Sequence, residues 1–167
     1  DGLANQALKT SGAGVLSWGA PTNANSSGTI LFLKPEYPHA VYYADGGSNV
    51  GQLLFGYDGT FGNYYKWTTT NSADQDYDIV VQARIPDNFV HWAGINPIEF
   101  RYKTGVSSSA NNQIDLTFYD TAGSEVTLTG GSDLSNTSAT TATVTGLTSG
   151  TYTAGGYVTL VIKVQAD

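Results

Sequence analysis

Apolar and polar residues alternate along several stretches of this chain, the pattern of β-strands with one buried face. In residues 113–119 the apolar positions are Ile114, Leu116 and Phe118. In residues 157–165 every second residue from Val158 to Val164 is apolar. No convincing window places apolar residues at i, i+3, i+4 and i+7, the spacing of an amphipathic helix. The pattern therefore predicts an all-β protein.

Strand-forming segments recur along the chain, and turn dipeptides such as Asp58-Gly59 separate many of them. Alternation places Ile79, Val81, Ala83 and Ile85 on one face of the central segment. The predicted strands are Thr29–Leu33, Ala40–Ala44, Gln52–Tyr57, Tyr64–Thr69, Tyr77–Arg84, Ile98–Lys103, Gln113–Tyr119, Glu125–Leu128, Ala142–Thr145 and Tyr157–Gln165. Many short strands at this spacing predict an antiparallel β-sandwich.

Composition along the chain divides it into three parts. Residues 1–20 form an N-terminal interaction or assembly segment, residues 21–28 a polar linker that contains proline, and residues 29–167 the β-sandwich domain. Residues 130–151 are rich in Ser, Thr and Gly and read as a long loop or an extended hairpin. Its larger apolar anchors are Leu134, Val144 and Leu147.

The N-terminal segment begins DGLANQALKTSGAGVLSW. It resembles the element GQ-x-L-K-T-x-G-x-G-x-L-S-W that recurs in phage tail-fibre proteins and repetitive bacterial surface proteins. Asn5 stands where that element has glycine. The matching residues are Gln6, Leu8, Lys9, Thr10, Gly12, Gly14, Leu16, Ser17 and Trp18. The resemblance implies an extracellular or virion appendage and a homotrimer.

A second resemblance covers residues 77–119 and the closing strand that follows Gly155-Gly156. This segment contains Ile85-Pro86-Asp87-Asn88-Phe89, the Trp92 region and Asn111-Asn112. It is similar to the jelly-roll head domains of phage and bacterial surface proteins. The resemblance implies a jelly-roll-like sandwich and carries over no catalytic residues.

Charge and composition exclude several classes of function. Seven Lys and Arg against 14 Asp and Glu give a net charge of −7. Binding to nucleic acid or to an anionic membrane requires a basic stripe, so neither partner is expected. The chain has no cysteine, which excludes disulfides, cysteine zinc sites and thiol nucleophiles. No apolar run approaches the roughly 20 residues of a membrane helix, so no membrane insertion is expected.

Catalytic signatures are also missing from the sequence. The two histidines, His39 and His91, lie in different segments without a metal-binding spacing such as HExxH. No G-x-S-x-G nucleophile motif is present. A Ser-His-Asp triad depends on geometry and leaves no fixed sequence trace. We therefore predict that the chain is not an enzyme.

The densest acidic cluster offers a candidate calcium site. Asp74, Asp76 and Asp78 would share one side of a strand that began this early. Carboxylate oxygens suit Ca²⁺, and the D-x-D-x-D spacing opens a calcium loop. The glycine and the distal glutamate of such a loop are missing. A solvated loop leading into a strand is the competing interpretation.

Aromatic residues offer a candidate ligand surface. Tyr65 and Trp67 fall on one face of a predicted strand, and Trp92 lies in a later loop. Exposed Tyr and Trp rings can stack on the apolar face of a sugar. The competing interpretation is core packing combined with an oligomer interface.

The sequence is most typical of a structural subunit or head domain of an extracellular, cell-surface or virion appendage. Leu3, Leu8, Leu16 and Trp18 would form its assembly interface with copies of itself, as a homotrimer or a filament. The alternative is a carbohydrate- or receptor-binding module that recognises a host glycan or receptor.

Overall fold

The structure is a computed structural model that describes residues 7–10, 16–19, 30–31, 40–43, 50–59, 62–94 and 97–167. The chain forms two compact units, Asp1–Ile30 and Leu31–Asp167. The boundary between them falls two residues after the predicted linker. In the described residues, no helix is long and apolar enough to cross a membrane.

The first unit contains an antiparallel hairpin of two short strands, β1 (Ala7–Thr10) and β2 (Leu16–Gly19). Leu8 lies opposite Trp18, and Thr10 lies opposite Leu16. Neither strand is among those predicted from alternation.

The described residues of the second unit form nine strands. Their bounds are β3 (Ala40–Tyr43), β4 (Gln52–Asp58), β5 (Gly62–Thr68), β6 (Gln75–Arg84), β7 (Ile98–Tyr102), β8 (Asn112–Tyr119), β9 (Glu125–Val126), β10 (Thr140–Val144) and β11 (Tyr157–Ala166). The five-stranded sheet has the order β3-β6-β11-β8-β9, while β7 pairs with β10 and β4 with β5. All of these pairs are antiparallel. The prediction of an all-β antiparallel sandwich is confirmed; the jelly-roll order stays a prediction.

Nine of the ten predicted strands are observed, with ends within two residues of those predicted. The remaining one is the predicted strand Thr29–Leu33. Ile30 and Leu31 belong to no strand, so the prediction is wrong for these two residues. Its other three residues lie outside the described part of the chain. Within residues 130–151, β10 forms a regular ladder with β7.

The sandwich core lies between the five-stranded sheet and the β7–β10 pair. The predicted inward faces of β6, β8 and β11 are confirmed, because the large side chains on these faces are buried or half-buried. Ile85, Val144 and Leu147 are the largest fully buried side chains. The buried core residues are Ile85, Leu116, Phe118, Val126, Val144, Leu147, Val158 and Leu160.

A tight turn positions the core residue Leu147 at the start of the 3₁₀ helix Leu147–Ser149. Gly146 precedes this helix with φ = 108°, a conformation that favours glycine. A Cβ atom at Gly146 would also collide with the carbonyl oxygen of Thr127. The turn therefore requires glycine on two independent grounds.

Candidate assembly and ligand surfaces

The β1–β2 register brings together three of the four positions predicted to form an assembly interface. Directly opposite residues lie on the same side of a hairpin, as do alternate residues of one strand. Leu8, Leu16 and Trp18 therefore share one face with Thr10. We call this set the N-terminal apolar face. Leu3 lies outside the described residues.

The opposite face of the same hairpin has a different composition. Ala7 lies opposite Gly19, and Lys9 lies opposite Ser17. The hairpin is thus amphipathic: one face carries large apolar residue types, and the other carries small residues and the single charge, Lys9. Amphipathic patterning of this kind is typical of a hairpin that packs one face against another layer.

A second amphipathic hairpin lies in the larger unit, where β4 pairs with β5. One face is almost entirely apolar and aromatic. Phe55 is 80% exposed and Tyr57 is 74% exposed, although both belong to regular strands. No residue of this face carries a charge. The aromatic face, as we call it, consists of Leu53, Phe55, Tyr57, Asn63, Tyr65 and Trp67.

The other face of the β4–β5 hairpin is more polar. It carries Gln52, Asp58 and Lys66. Its aromatic residue, Tyr64, lies opposite Gly56, and a Cβ atom at Gly56 would come within 2.9 Å of the Tyr64 ring carbon Cζ. The glycine therefore lets the Tyr64 ring lie close to the backbone. The Tyr64 ring therefore packs within the hairpin, whereas the rings of Phe55 and Tyr57 on the aromatic face are exposed.

Trp67 anchors the hairpin to the five-stranded sheet. Its ring stacks on Tyr77 of β6, with centroids 5.1 Å apart and planes 27° apart. Its Nε1 donates a hydrogen bond to the carbonyl oxygen of Gln75 at 3.1 Å. The Gln75 side chain in turn accepts a hydrogen bond from the Val50 amide at 2.6 Å. Trp67 is therefore engaged at one end of the aromatic face, while Phe55 and Tyr57 are exposed farther along it.

Trp92 belongs to a different part of the sandwich. Its ring makes edge contacts with Phe118 and Tyr152 at centroid distances of 6.3 and 5.4 Å. In the sheet register Tyr77 is level with Ile114, four residues and about 13 Å along β8 from Phe118. The structure therefore does not bring Trp67 and Trp92 into one platform. Ligand binding by Tyr65, Trp67 or Trp92 stays a prediction.

A cleft of about 340 Å³ opens beside Trp92. His91 is exposed, and its Nδ1 lies 2.8 Å from the Trp92 carbonyl oxygen. The Tyr152 hydroxyl donates a hydrogen bond to the Leu147 carbonyl oxygen at 2.6 Å, and burial raises the pKa of Tyr152. The residues that line the cleft are Phe89, Val90, His91, Trp92, Thr148 and Tyr152. His39 lies outside the described residues.

The three predicted calcium ligands are not gathered around one point. Strand β6 begins at Gln75, so Asp74 precedes it and is exposed. Asp76 forms an ion pair with Lys163, with 3.1 Å between Oδ2 and Nζ. Asp78 is buried and lies opposite Lys163 in the β6–β11 register. Across the described part of the chain, no group of three His, Cys, Asp or Glu residues is arranged to hold a metal ion.

The exposed rings of Phe55 and Tyr57 are the feature that the sequence did not reveal. Alternation in β4 predicts that Leu53, Phe55 and Tyr57 lie on one face, which the register shows. The same alternation normally marks the buried face of a strand. Exposure depends on what the rest of the fold places over that face, so the sequence alone contained no signal for it.

No protein-family model matches this chain, and comparisons with curated proteins and with solved structures find no match.

Proposed function

We propose that this protein is a structural subunit of an extracellular or virion appendage and that the β1–β2 hairpin binds a neighbouring copy of the chain. One observation carries the proposal: Leu8, Leu16 and Trp18 share one face of a hairpin whose other face is small and polar. The bound copy would cover the N-terminal apolar face, in a closed homotrimer or in a filament.

The size of the hairpin supports this assignment. Each strand has four residues and is about 13 Å long. Two-stranded hairpins are marginally stable in water unless a further strand or a packed layer covers their apolar face. Covering one large apolar side chain contributes about 1.5–3 kcal/mol. A partner that covers Leu8, Leu16 and Trp18 would thus stabilise both the hairpin and the assembly.

The resemblance of Gln6–Trp18 to the tail-fibre element supports the appendage context. The small number of basic residues supports it further. Seven basic residues in a chain with a net charge of −7 disfavour binding to nucleic acid. Abundant Thr, Tyr and Gly suit a strand-rich shaft or head. These features favour assembly over catalysis as the role of the chain.

The proposal is tested by double substitution on each face of the β1–β2 hairpin in the full chain. We expect Leu8→Ser with Trp18→Ser to reduce self-association by at least about tenfold, measured by mass photometry and electron microscopy. The matched control is Lys9→Ser with Ser17→Ala on the other face, which should assemble like the unaltered chain. A monomeric unaltered chain, or assembly unaffected by loss of Leu8 and Trp18, would refute the proposal.

A further inference from the structure

Two rings on the aromatic face of the β4–β5 hairpin are largely exposed to solvent. Phe55 and Tyr57 expose 80% and 74% of their surface on adjacent alternate positions of one strand. Tyr65 lies opposite Phe55 on the other strand of the hairpin and is half-buried. Contiguous exposed aromatic patches on soluble proteins are uncommon and mark interaction sites.

We propose that the N-terminal apolar face of one copy binds the aromatic face of the β4–β5 hairpin in the next copy. This inference rests on the proposed function and adds the surface that receives the N-terminal hairpin. The two faces belong to different hairpins, so the contact is heterologous. Each copy would offer one binding face and one receiving face.

The absence of charge on both faces favours a second copy as the occupant. Every copy carries a net charge of −7, so two copies repel each other over most of their surface. The aromatic face contains no charged residue, and neither does the N-terminal apolar face, whose residues are Leu8, Thr10, Leu16 and Trp18. Two copies can therefore meet at these faces without burying like charges. A strongly basic partner would instead find its complement on the acidic remainder of the surface.

The dimensions of the two faces also agree. Trp67 is held against Tyr77 at one end of the aromatic face, and the exposed rings of Phe55 and Tyr57 lie toward the other end. This end of the hairpin comprises about four residues of each strand, residues 55–58 and 62–65, and on the aromatic face Phe55, Tyr57 and Asn63 are exposed there. At about 3.3 Å per residue this end is about 13 Å long, which equals the length of β1 and β2. The N-terminal hairpin thus has about the length of the part of the β4–β5 hairpin that it would cover.

A heterologous contact between identical chains either closes into a ring or continues without limit. The proposed contact therefore yields a closed oligomer such as a trimer, or a filament. A contact between two aromatic faces would instead be isologous and would stop at a dimer. This difference allows a decisive mixing experiment.

The experiment uses two full-length double variants that each lose one face. The first carries Leu8→Ser with Trp18→Ser, and the second carries Phe55→Ser with Tyr57→Ser. Alone, each should associate at least about tenfold more weakly than the unaltered chain. Mixed in equal amounts, the first supplies an intact receiving face and the second an intact binding face. The mixture should therefore form dimers of one copy of each and nothing larger, measured by mass photometry.

The control for the second variant is Leu54→Ser, on the opposite face of β4 and also exposed. It should assemble like the unaltered chain, and circular dichroism should show that all variants are folded. If Phe55→Ser with Tyr57→Ser assembles normally while Leu8→Ser with Trp18→Ser does not, this inference fails and the proposed function stands. If both fail alone and the mixture stays monomeric, the faces do not meet each other and the inference is again overturned. An unaltered chain that is monomeric would overturn the proposed function itself.

Discussion

The carboxylate of Asp120 joins two loops of the sandwich. Its Oδ1 accepts hydrogen bonds from the amides of Ala122 and Ser124, both at 2.9 Å. Its Oδ2 accepts one from the amide of Thr151 at 2.8 Å. These backbone donors lower the pKa of Asp120 below its ordinary value. The residue is 5% exposed, so these amides depend on the carboxylate rather than on water.

We expect Asp120→Asn to lower the melting temperature on the order of 5 °C at neutral pH. The amide NH₂ would face the Thr151 N–H or the pair from Ala122 and Ser124, and two donors cannot bond each other. Circular dichroism melts measure the change. Asp133→Asn is the matched control, because Asp133 is exposed with φ = 54°, which asparagine tolerates.

The same variant predicts a change in pH dependence. A carboxyl group whose folded pKa is lowered stabilises the fold above its ordinary pKa of 3.8, and this stability is lost as the pH falls through the folded value. We expect the acid-induced loss of stability below about pH 4 to be shallower in Asp120→Asn than in the unaltered chain. Equal slopes in the two proteins would show that Asp120 has no part in it.

At the scale of elements, the β4–β5 hairpin depends on Trp67. The hairpin has one strand pair, so its ordering relies on the stacking of Trp67 on Tyr77 and on the hydrogen bond to Gln75. Hairpins of two strands are marginal without such a contact. Trp67 is therefore a positioning residue for the aromatic face rather than part of its exposed area.

We expect Trp67→Ala to raise amide hydrogen exchange in residues 52–68 by at least about tenfold while the amides of β8 and β11 exchange as before. Removing the ring deletes both the stacking on Tyr77 and the hydrogen bond to Gln75, but leaves the sandwich core intact. Lys66→Ala, on the opposite and exposed side of β5, is the matched control. Unchanged exchange in the hairpin of Trp67→Ala would show that the stacking does not order it.

At the scale of the whole molecule, the net charge would oppose self-association, and the proposed apolar contact would favour it. Copies with a net charge of −7 repel each other, and salt screens this repulsion over a Debye length of about 10 Å at 0.1 M. Salt would instead weaken an assembly held by opposite charges. The response to salt therefore reports the kind of contact.

We expect self-association of the unaltered chain to strengthen when the salt concentration rises from about 0.05 M to about 0.5 M. Sedimentation velocity measures the shift in oligomer size. The variant Phe55→Ser with Tyr57→Ser serves as the control, because loss of the receiving face should remove most of this response. Dissociation of the unaltered chain by salt would contradict an uncharged interface.

Local sequence patterns predicted the buried face of a strand correctly where the composition of that face determines its burial. Alternation placed Ile114, Leu116 and Phe118 on the inward face of β8, and the structure agrees, because burial of that face follows from its composition. The hairpin β1–β2 was not among the predicted strands. Its register nevertheless gathers Leu8, Leu16 and Trp18, as their shared apolar character suggested.

Local patterns could not predict the surroundings of the candidate site residues, because these surroundings depend on residues that are distant in the sequence. Asp76 and Asp78 are alternate residues of one acidic run, yet β11 places Lys163 beside them, which no local spacing reveals. Trp67 and Trp92 are alike in sequence, yet one holds a hairpin and the other packs against Phe118. Side chains from strands far apart in sequence determine each of these environments.

The sequence by itself determined the all-β class, most strand positions and the inward faces of the sandwich, because these follow from the period of side chains along a strand. It also determined the net charge of −7, from which we predict that nucleic acid is not a partner. Only the tertiary structure decided that Phe55 and Tyr57 are uncovered, because exposure is set by which strands pack over a face. The same alternation that buries Leu116 and Phe118 leaves the rings of β4 in solvent, since no layer of the described sandwich lies over them.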